Sequence, residues 1–474
     1  MAALRTIEDL PGPRGLPLIG SAHQLRPQTL HLTTEKWAEE YGSLYRFDMG
    51  RRRIVVIGDA DVLTAVLRER PDGFRRWREI LEITEEMGHV GVFAAEGDDW
   101  RRMRRLAVTA LNSNHLQRYF QIISTCTERL HGRLLAAARD RQGFDIGQAL
   151  SSFTVDVTSA LAFGHDLNTL ERGDGGLQEH LHRVFQVTNR RIFLPVRYWR
   201  HFKLPVDRAF DRSVAEIESA VTAFMDETRK RIAARPELRE APENFLESMI
   251  AAQETEGAFS DEEIRGNVNT LLLAGEDTTS HSMAWTISWL ARRPEIQEMW
   301  AREAIEVLGE QPFATEYDAV DGFHYGEGVL RESMRLTPVV PVSGVEPLAD
   351  AEVAGTEIPA GTRLLLLHRR AGLHSVERPG EFRPERWLED DDTLAVPEQR
   401  SFLTFGAGPR FCPGRNLAFL EAKTALGMIA RNFEIELDPN AGPVTEVLGF
   451  TMSPKGLRVR LREREHASAI AAQH

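Results

Sequence analysis

Phe402-Leu-Thr-Phe-Gly-Ala-Gly-Pro-Arg-Phe-Cys-Pro-Gly414, continuing as Arg415-Asn-Leu-Ala418, is the stretch on which the reading of this chain turns. It is a glycine-punctuated loop that feeds a helix-like segment. Gly406, Gly408 and Gly414 let the backbone turn tightly and come close to one atom, the sulfur of Cys412, as positive φ or close contact requires. A free cysteine is among the most buried residue types, so for a lone Cys412 the default is an inert core thiol. Phe405 and Arg410 beside it open a second reading, a shielded sulfur next to a fixed cation. With these neighbours the second reading is preferred.

Working outward, the chain has 474 residues, 42% of them hydrophobic, enough for a large core. Length alone suggests about three domains. No Pro/Gly/Ser-rich linker, charge block, repeat or low-complexity tract divides it, so one unit over residues 1–474 is expected, with a proline-rich segment at 1–20 and a disordered tail at 463–474. The formal charge of −13 argues against nucleic acid as a partner. Cys126 and Cys412 are the two cysteines, a usage that fits a reducing compartment. Residues 1–10 lack the pattern of a signal peptide and no 18 consecutive apolar residues occur. A soluble, cytoplasmic protein without a membrane span is expected.

Three more stretches carry chemistry. Trp100 and Arg104 lie four apart in a helix expected to start at Asp99, with Asp98 as its cap, and share one face. Ser260-Asp-Glu-Glu263 is a capping box opening a helix that runs to Arg293, about 50 Å long. Its middle, Leu273-Ala-Gly-Glu-Asp-Thr-Thr-Ser280, is odd for a helix interior. Gly275 costs about 1 kcal/mol relative to Ala, and the hydroxyls can turn back onto carbonyls and loosen the ladder. Third, Glu332 and Arg335 share a helix face in Tyr325–Leu336, and Phe382-Arg-Pro-Glu-Arg-Trp387 follows downstream. Taken singly, these are a basic helix face, a kinked helix and an ordinary i,i+3 ion pair.

In this order the motifs resemble those of the cytochrome P-450 family, in its soluble bacterial-type members, from about residue 10 to 462. The resemblance implies a mainly α fold with a small β region, the triangular haem-thiolate prism. The cofactor would be haem b, with O2 as co-substrate and Cys412 as the iron ligand. A thiolate ligand pushes electron density toward bound oxygen and favours O–O cleavage. Trp100, Arg104 and Arg410 would hold haem propionates through indole and guanidinium donors. Phe405 would screen the sulfur, and Gly414 would let the chain approach it. Ala274 and Gly275 would leave space for dioxygen, while Asp277 and Thr278 would deliver protons. Glu332, Arg335 and Arg386 would form a buried structural network.

The resemblance further implies a monooxygenase that inserts one oxygen atom into a lipophilic small molecule, by hydroxylation or epoxidation. Ala274, Val339, Val340, Val342 and Phe450-Thr451-Met452 would line its pocket, and 184–204 would lie over the entrance. Electrons would come from NAD(P)H only indirectly, through ferredoxin reductase and ferredoxin, docking near Arg101, Arg105, Arg415 and Lys423. A peroxide-using or isomerising haem-thiolate enzyme is disfavoured by Asp277-Thr278, and a haem-based gas sensor by the lack of an output domain. The chain departs from the family pattern in two places. No arginine lies between Arg335 and Arg363 to reach the second propionate, and the usual Asn-Arg-Asp-Pro region reads His368-Arg-Arg-Ala371.

Overall fold

The computed structural model describes residues 4–88, 90–173, 176–194, 197–256, 259–389, 393–395 and 402–465. The expected tail therefore falls mostly outside the described residues. The chain is mainly α with a small β region, as the resemblance implies.

Leu44–Met49 (β1) and Arg52–Ile57 (β2) form the expected hairpin, with Leu44 opposite Ile57 and Met49 opposite Arg52. Phe74–Arg76 (β3), Val342–Pro347 (β4) and Arg363–Leu367 (β5) complete a sheet of order β1-β2-β5-β4-β3. Only β2 and β5 run parallel. Alternation along β2 and β5 sends Val55, Ile57, Leu364 and Leu366 to one apolar cluster and Ile54, Val56, Leu365 and Leu367 to another.

Seven helices position the site: Arg78–Glu86 (α1), Gly97–Ala110 (α2), Ile146–Phe163 (α3), Leu177–Phe193 (α4), Asp261–Leu290 (α5), His324–Leu336 (α6) and Arg415–Asn432 (α7). α3 is buried nearly all round, its short polar side chains included, and α5 packs along it. The capping box of α5 is formed: Ser260 N–H donates to Glu263 at 2.8 Å and Glu263 N–H to Ser260 Oγ at 3.2 Å. α5 ends at Leu290 rather than Arg293, because Arg293 precedes Pro294 and takes ψ 76. α2 begins at Gly97 with Glu96 as its cap residue. Asp98 and Asp99 instead fill its first turn, where they suit the dipole and bind Arg101 (2.7 Å) and Arg102 (2.9 Å). Among the described residues, no helix is long and apolar enough to cross a membrane.

Candidate active site

The Cys412 loop is built as its glycines require. Gly406 and Gly408 adopt φ of +77° and +70°, and a Cβ on Gly408 would lie 2.7 Å from the Leu67 carbonyl oxygen. Cys412 N–H donates to Phe405 O at 3.0 Å, closing the turn. Gly414 has ordinary φ but sits at the head of α7, where its Cβ position is 3.9 Å from the sulfur. Cys412 is enclosed deep in the protein, although its surface is not fully covered. Burial pushes its thiol up. The N–H groups of Gly414 and Arg415, and the Arg104 and Arg76 guanidiniums, pull the other way. A helix N-terminus with nearby arginines is the setting that stabilises a thiolate. Phe405 packs beside it with Phe402, Phe411 and Phe419, at ring separations of 6.0, 6.5 and 5.5 Å. Cys126 lies elsewhere, in apolar core.

Around this sulfur gather four arginines, two of them absent from the sequence reading. Arg410 lies 4.7 Å over the Trp100 ring, and it donates to Ala95 O at 2.5 Å and pairs with Glu96. Its Nε and Nη1 are buried without partners. Burial lowers it to about 10. Arg104 is half-buried and electrostatically coupled to Cys412. Arg70 is 5% exposed, with Nε and Nη2 unpartnered. Arg76 feels Arg70, Arg410, Glu96 and Cys412. Nearby His368 gives one ring nitrogen to Ser343 Oγ at 2.7 Å and leaves Nδ1 unpartnered. Burial, with Arg70 and Arg76, lowers it to about 4, so it is neutral. Buried guanidinium donors without acceptors are costly unless an anion completes them.

On α5, Ala274 is exposed in the middle of an otherwise covered helix, and Thr278 Oγ1 donates to its carbonyl at 2.5 Å. Asp277 is half-buried and electrostatically coupled to His281, one turn on, whose Nδ1 lies 2.8 Å from Thr451 Oγ1. Gly275 corrects an expectation. Its Cβ position lies 3.1 Å from Thr158 Oγ1 on α3, so its smallness serves helix packing rather than space for dioxygen. Nor is α5 interrupted: the Thr278, Ser280 and Ser282 hydroxyls cap carbonyls one turn back within a continuous helix.

The ion network is present and fuller than expected. Arg335 grips Glu332 through two bonds (2.9 and 2.8 Å), Arg386 adds one at 2.9 Å, and Trp387 Nε1 adds one at 3.0 Å. Trp387, which stands where the family has Phe, thus supplies a further donor. Two other expectations change. Lys423 is buried against Glu327 at 3.1 Å and offers no docking charge. Met452 packs in core with Leu30, Trp285, Val339 and Leu448, and Thr451 is buried as well, so neither side chain lines a pocket. Phe450 instead meets Phe93 and Phe185 at 6.0 and 5.2 Å, two aromatic residues the sequence did not single out. Beyond α4, Arg197 and Arg200 pair with Glu82 and Glu86 of α1, and Trp199 donates to Glu86 at 2.9 Å.

The residues fit haem: an ionisable sulfur under N–H groups, unsatisfied cations for carboxylates, and a small exposed alanine on a helix packed against α7. A mainly α chain with such a cysteine loop falls in the class of haem-thiolate enzymes. A profile of the Cytochrome P450 family matches residues 10–461, and the chain belongs to that family. It is similar to the Putative cytochrome P450 CYP13A7 of Caenorhabditis elegans, 26% identical over 96% of this chain and 94% of the relative. It is likewise similar to Protein LUTEIN DEFICIENT 5, chloroplastic, of Arabidopsis thaliana (26%; 94% of this chain, 76% of the relative). A third relative is Cytochrome P450 27C1 of Danio rerio (26%; 98% and 88%). The protein is therefore a haem-thiolate monooxygenase, an oxidoreductase using O2, a redox partner and a lipophilic substrate.

Proposed function

We propose that the chain is one haem b domain that hydroxylates or epoxidises a lipophilic small molecule, with electrons passed from NAD(P)H through ferredoxin reductase and ferredoxin. The observation that carries this reading is the Cys412 sulfur under two backbone N–H groups, beside guanidiniums that lack acceptors. Bound haem would supply the reductive activation of O2 and the transfer of one oxygen atom.

The protein's own groups do the rest. Cys412 would hold the iron as a thiolate; burial raises its thiol, and the Gly414 and Arg415 N–H groups with Arg104 favour the ionised form that the metal would take. Phe405 and its aromatic neighbours exclude water from the sulfur. Trp100, Arg104 and Arg410 bind carboxylates. Thr278 Oγ1 holds its proton on Ala274 O and can turn it toward a ligand, while Asp277 relays protons from the His281 side. Phe93, Phe185 and Phe450, tilted against one another, offer an apolar cluster to the substrate. Arg101, Arg105 and Arg415 remain the basic contacts for an acidic ferredoxin, acting through charge steering. A soluble, cytoplasmic, bacterial-type enzyme is the setting we favour.

Turnover with NAD(P)H, ferredoxin reductase and ferredoxin tests the reading. Product should form, at rates that fall as salt rises. Thr278→Ala should keep NAD(P)H consumption while diverting electrons to peroxide. Unchanged coupling would remove Thr278 from proton delivery.

A further inference from the structure

Haem b carries two carboxylates, and the strand that follows α6 offers no cation for the second. At Gly344 of β4 any side chain would collide with the Trp77 indole, which lies on the strand and donates to Val345 O at 3.1 Å. The neighbouring strand β3 is differently equipped. Arg76 pairs with Val345 and Arg75 with Glu346 in the ladder, so the two arginines point to opposite faces. Arg75 is satisfied by Glu346 at 2.7 Å. Among the described residues, the Arg76 guanidinium instead makes one hydrogen bond, Nε to Phe93 O at 2.8 Å, and stacks 4.0 Å over the Phe93 ring. That stacking orients its remaining donors, and Arg70 stands in electrostatic reach with Nε and Nη2 buried and unpartnered. Among the described residues, Glu96 is the carboxylate that Arg70, Arg76 and Arg410 face. Glu96 is already engaged by Arg410 and by the Arg76 backbone N–H at 3.1 Å.

We propose that the Arg70–Arg76 pair, delivered by β3 and the turn before it, binds the second haem propionate. The inference rests on the haem-thiolate reading and assigns a positioning role that neither Arg70 nor Arg76 has in it. Such charge-assisted bonds are the strong class, and guanidinium geometry suits a carboxylate.

The test is transfer of haem from the holoenzyme to excess apomyoglobin, followed by absorbance. Arg76→Gln and Arg70→Gln should each speed haem loss by about tenfold or more, Arg76→Lys should fall between, and Arg75→Gln should match the wild type. The same comparison with haem dimethyl ester, which has no carboxylate, separates binding from folding. There Arg76→Gln and wild type should lose the ligand at equal rates. If Arg76→Gln releases haem at the wild-type rate, or speeds loss of the ester as much as of the free acid, the proposal is overturned. Should Arg76→Gln fail to fold, Arg76→Lys and the wild type compared with both haems decide it by the same criterion. A wild type that never gives the thiolate–carbon monoxide spectrum would instead overturn the haem-thiolate reading.

Discussion

Two buried sets of arginines lie in this molecule, and they are finished to different degrees. Around Glu332, Arg335, Arg386 and Trp387 converge on one carboxylate, and the Arg383 N–H joins them at 2.9 Å. Around Cys412, Arg70, Arg76, Arg104 and Arg410 share little more than Glu96, and Arg70 and Arg410 keep buried donors without acceptors. A completed network has all its interactions inside the chain, so it serves the fold. An incomplete one costs stability until an anion arrives, so it serves a ligand.

The contrast can be broken first at Glu332. Glu332→Ala strands two buried guanidiniums and should cost about 3–5 kcal/mol, read by urea unfolding, with haem lost only as a consequence of unfolding. A neutral effect would mean the network is ornamental. His131 offers a third kind of group, half-buried and, among the described residues, without a counter-ion. It lies against the Phe313 and Phe433 rings, and burial, then Arg431, lowers it to about 4 from 6.5. Between those values the unfolded chain binds a proton the folded one does not, so stability falls as pH drops from 6.5 to 4. After allowance for screening the loss is about 2 kcal/mol, and His131→Phe should flatten that part of the stability–pH curve. Trp387→Phe removes one of several donors to Glu332 and should cost about 1.5 kcal/mol, seen as a lower urea midpoint with an unchanged slope. The smallest change in apoprotein stability is expected at the incomplete set. Arg410→Gln should move it by less than about 1 kcal/mol, since removing two buried donors without acceptors offsets the loss of the Glu96 pair, while haem loss quickens. A large apoprotein cost there would erase the distinction.

The same contrast explains what could be read from the sequence. Spacing reveals groups that act within one local segment: the Cys412 loop, the Ser260–Glu263 box and the Glu332–Arg335 pair all lie where their patterns put them. Spacing does not reveal which neighbour a side chain meets. Gly275 looked like room for a ligand, yet it faces Thr158, and only the packing of α5 on α3 decides that. Lys423 looked like a surface charge, but Glu327 lies across a helix interface. Arg70 and Arg76 sat in an unremarkable Arg70-Pro-Asp-Gly-Phe-Arg-Arg76 run. The pairing of β3 with β4, far apart in sequence, is what turns Arg76 toward Cys412. The Phe382–Trp387 run likewise does not reveal that the Trp387 indole N–H meets Glu332.

The central claim is thiolate ligation by Cys412. Reduced, haem-loaded protein saturated with carbon monoxide should give the red-shifted Soret band of a thiolate-bound iron, and Cys412→Ser should lose it while keeping the fold. Folded, haem-loaded wild type that shows only the unshifted band would contradict the account.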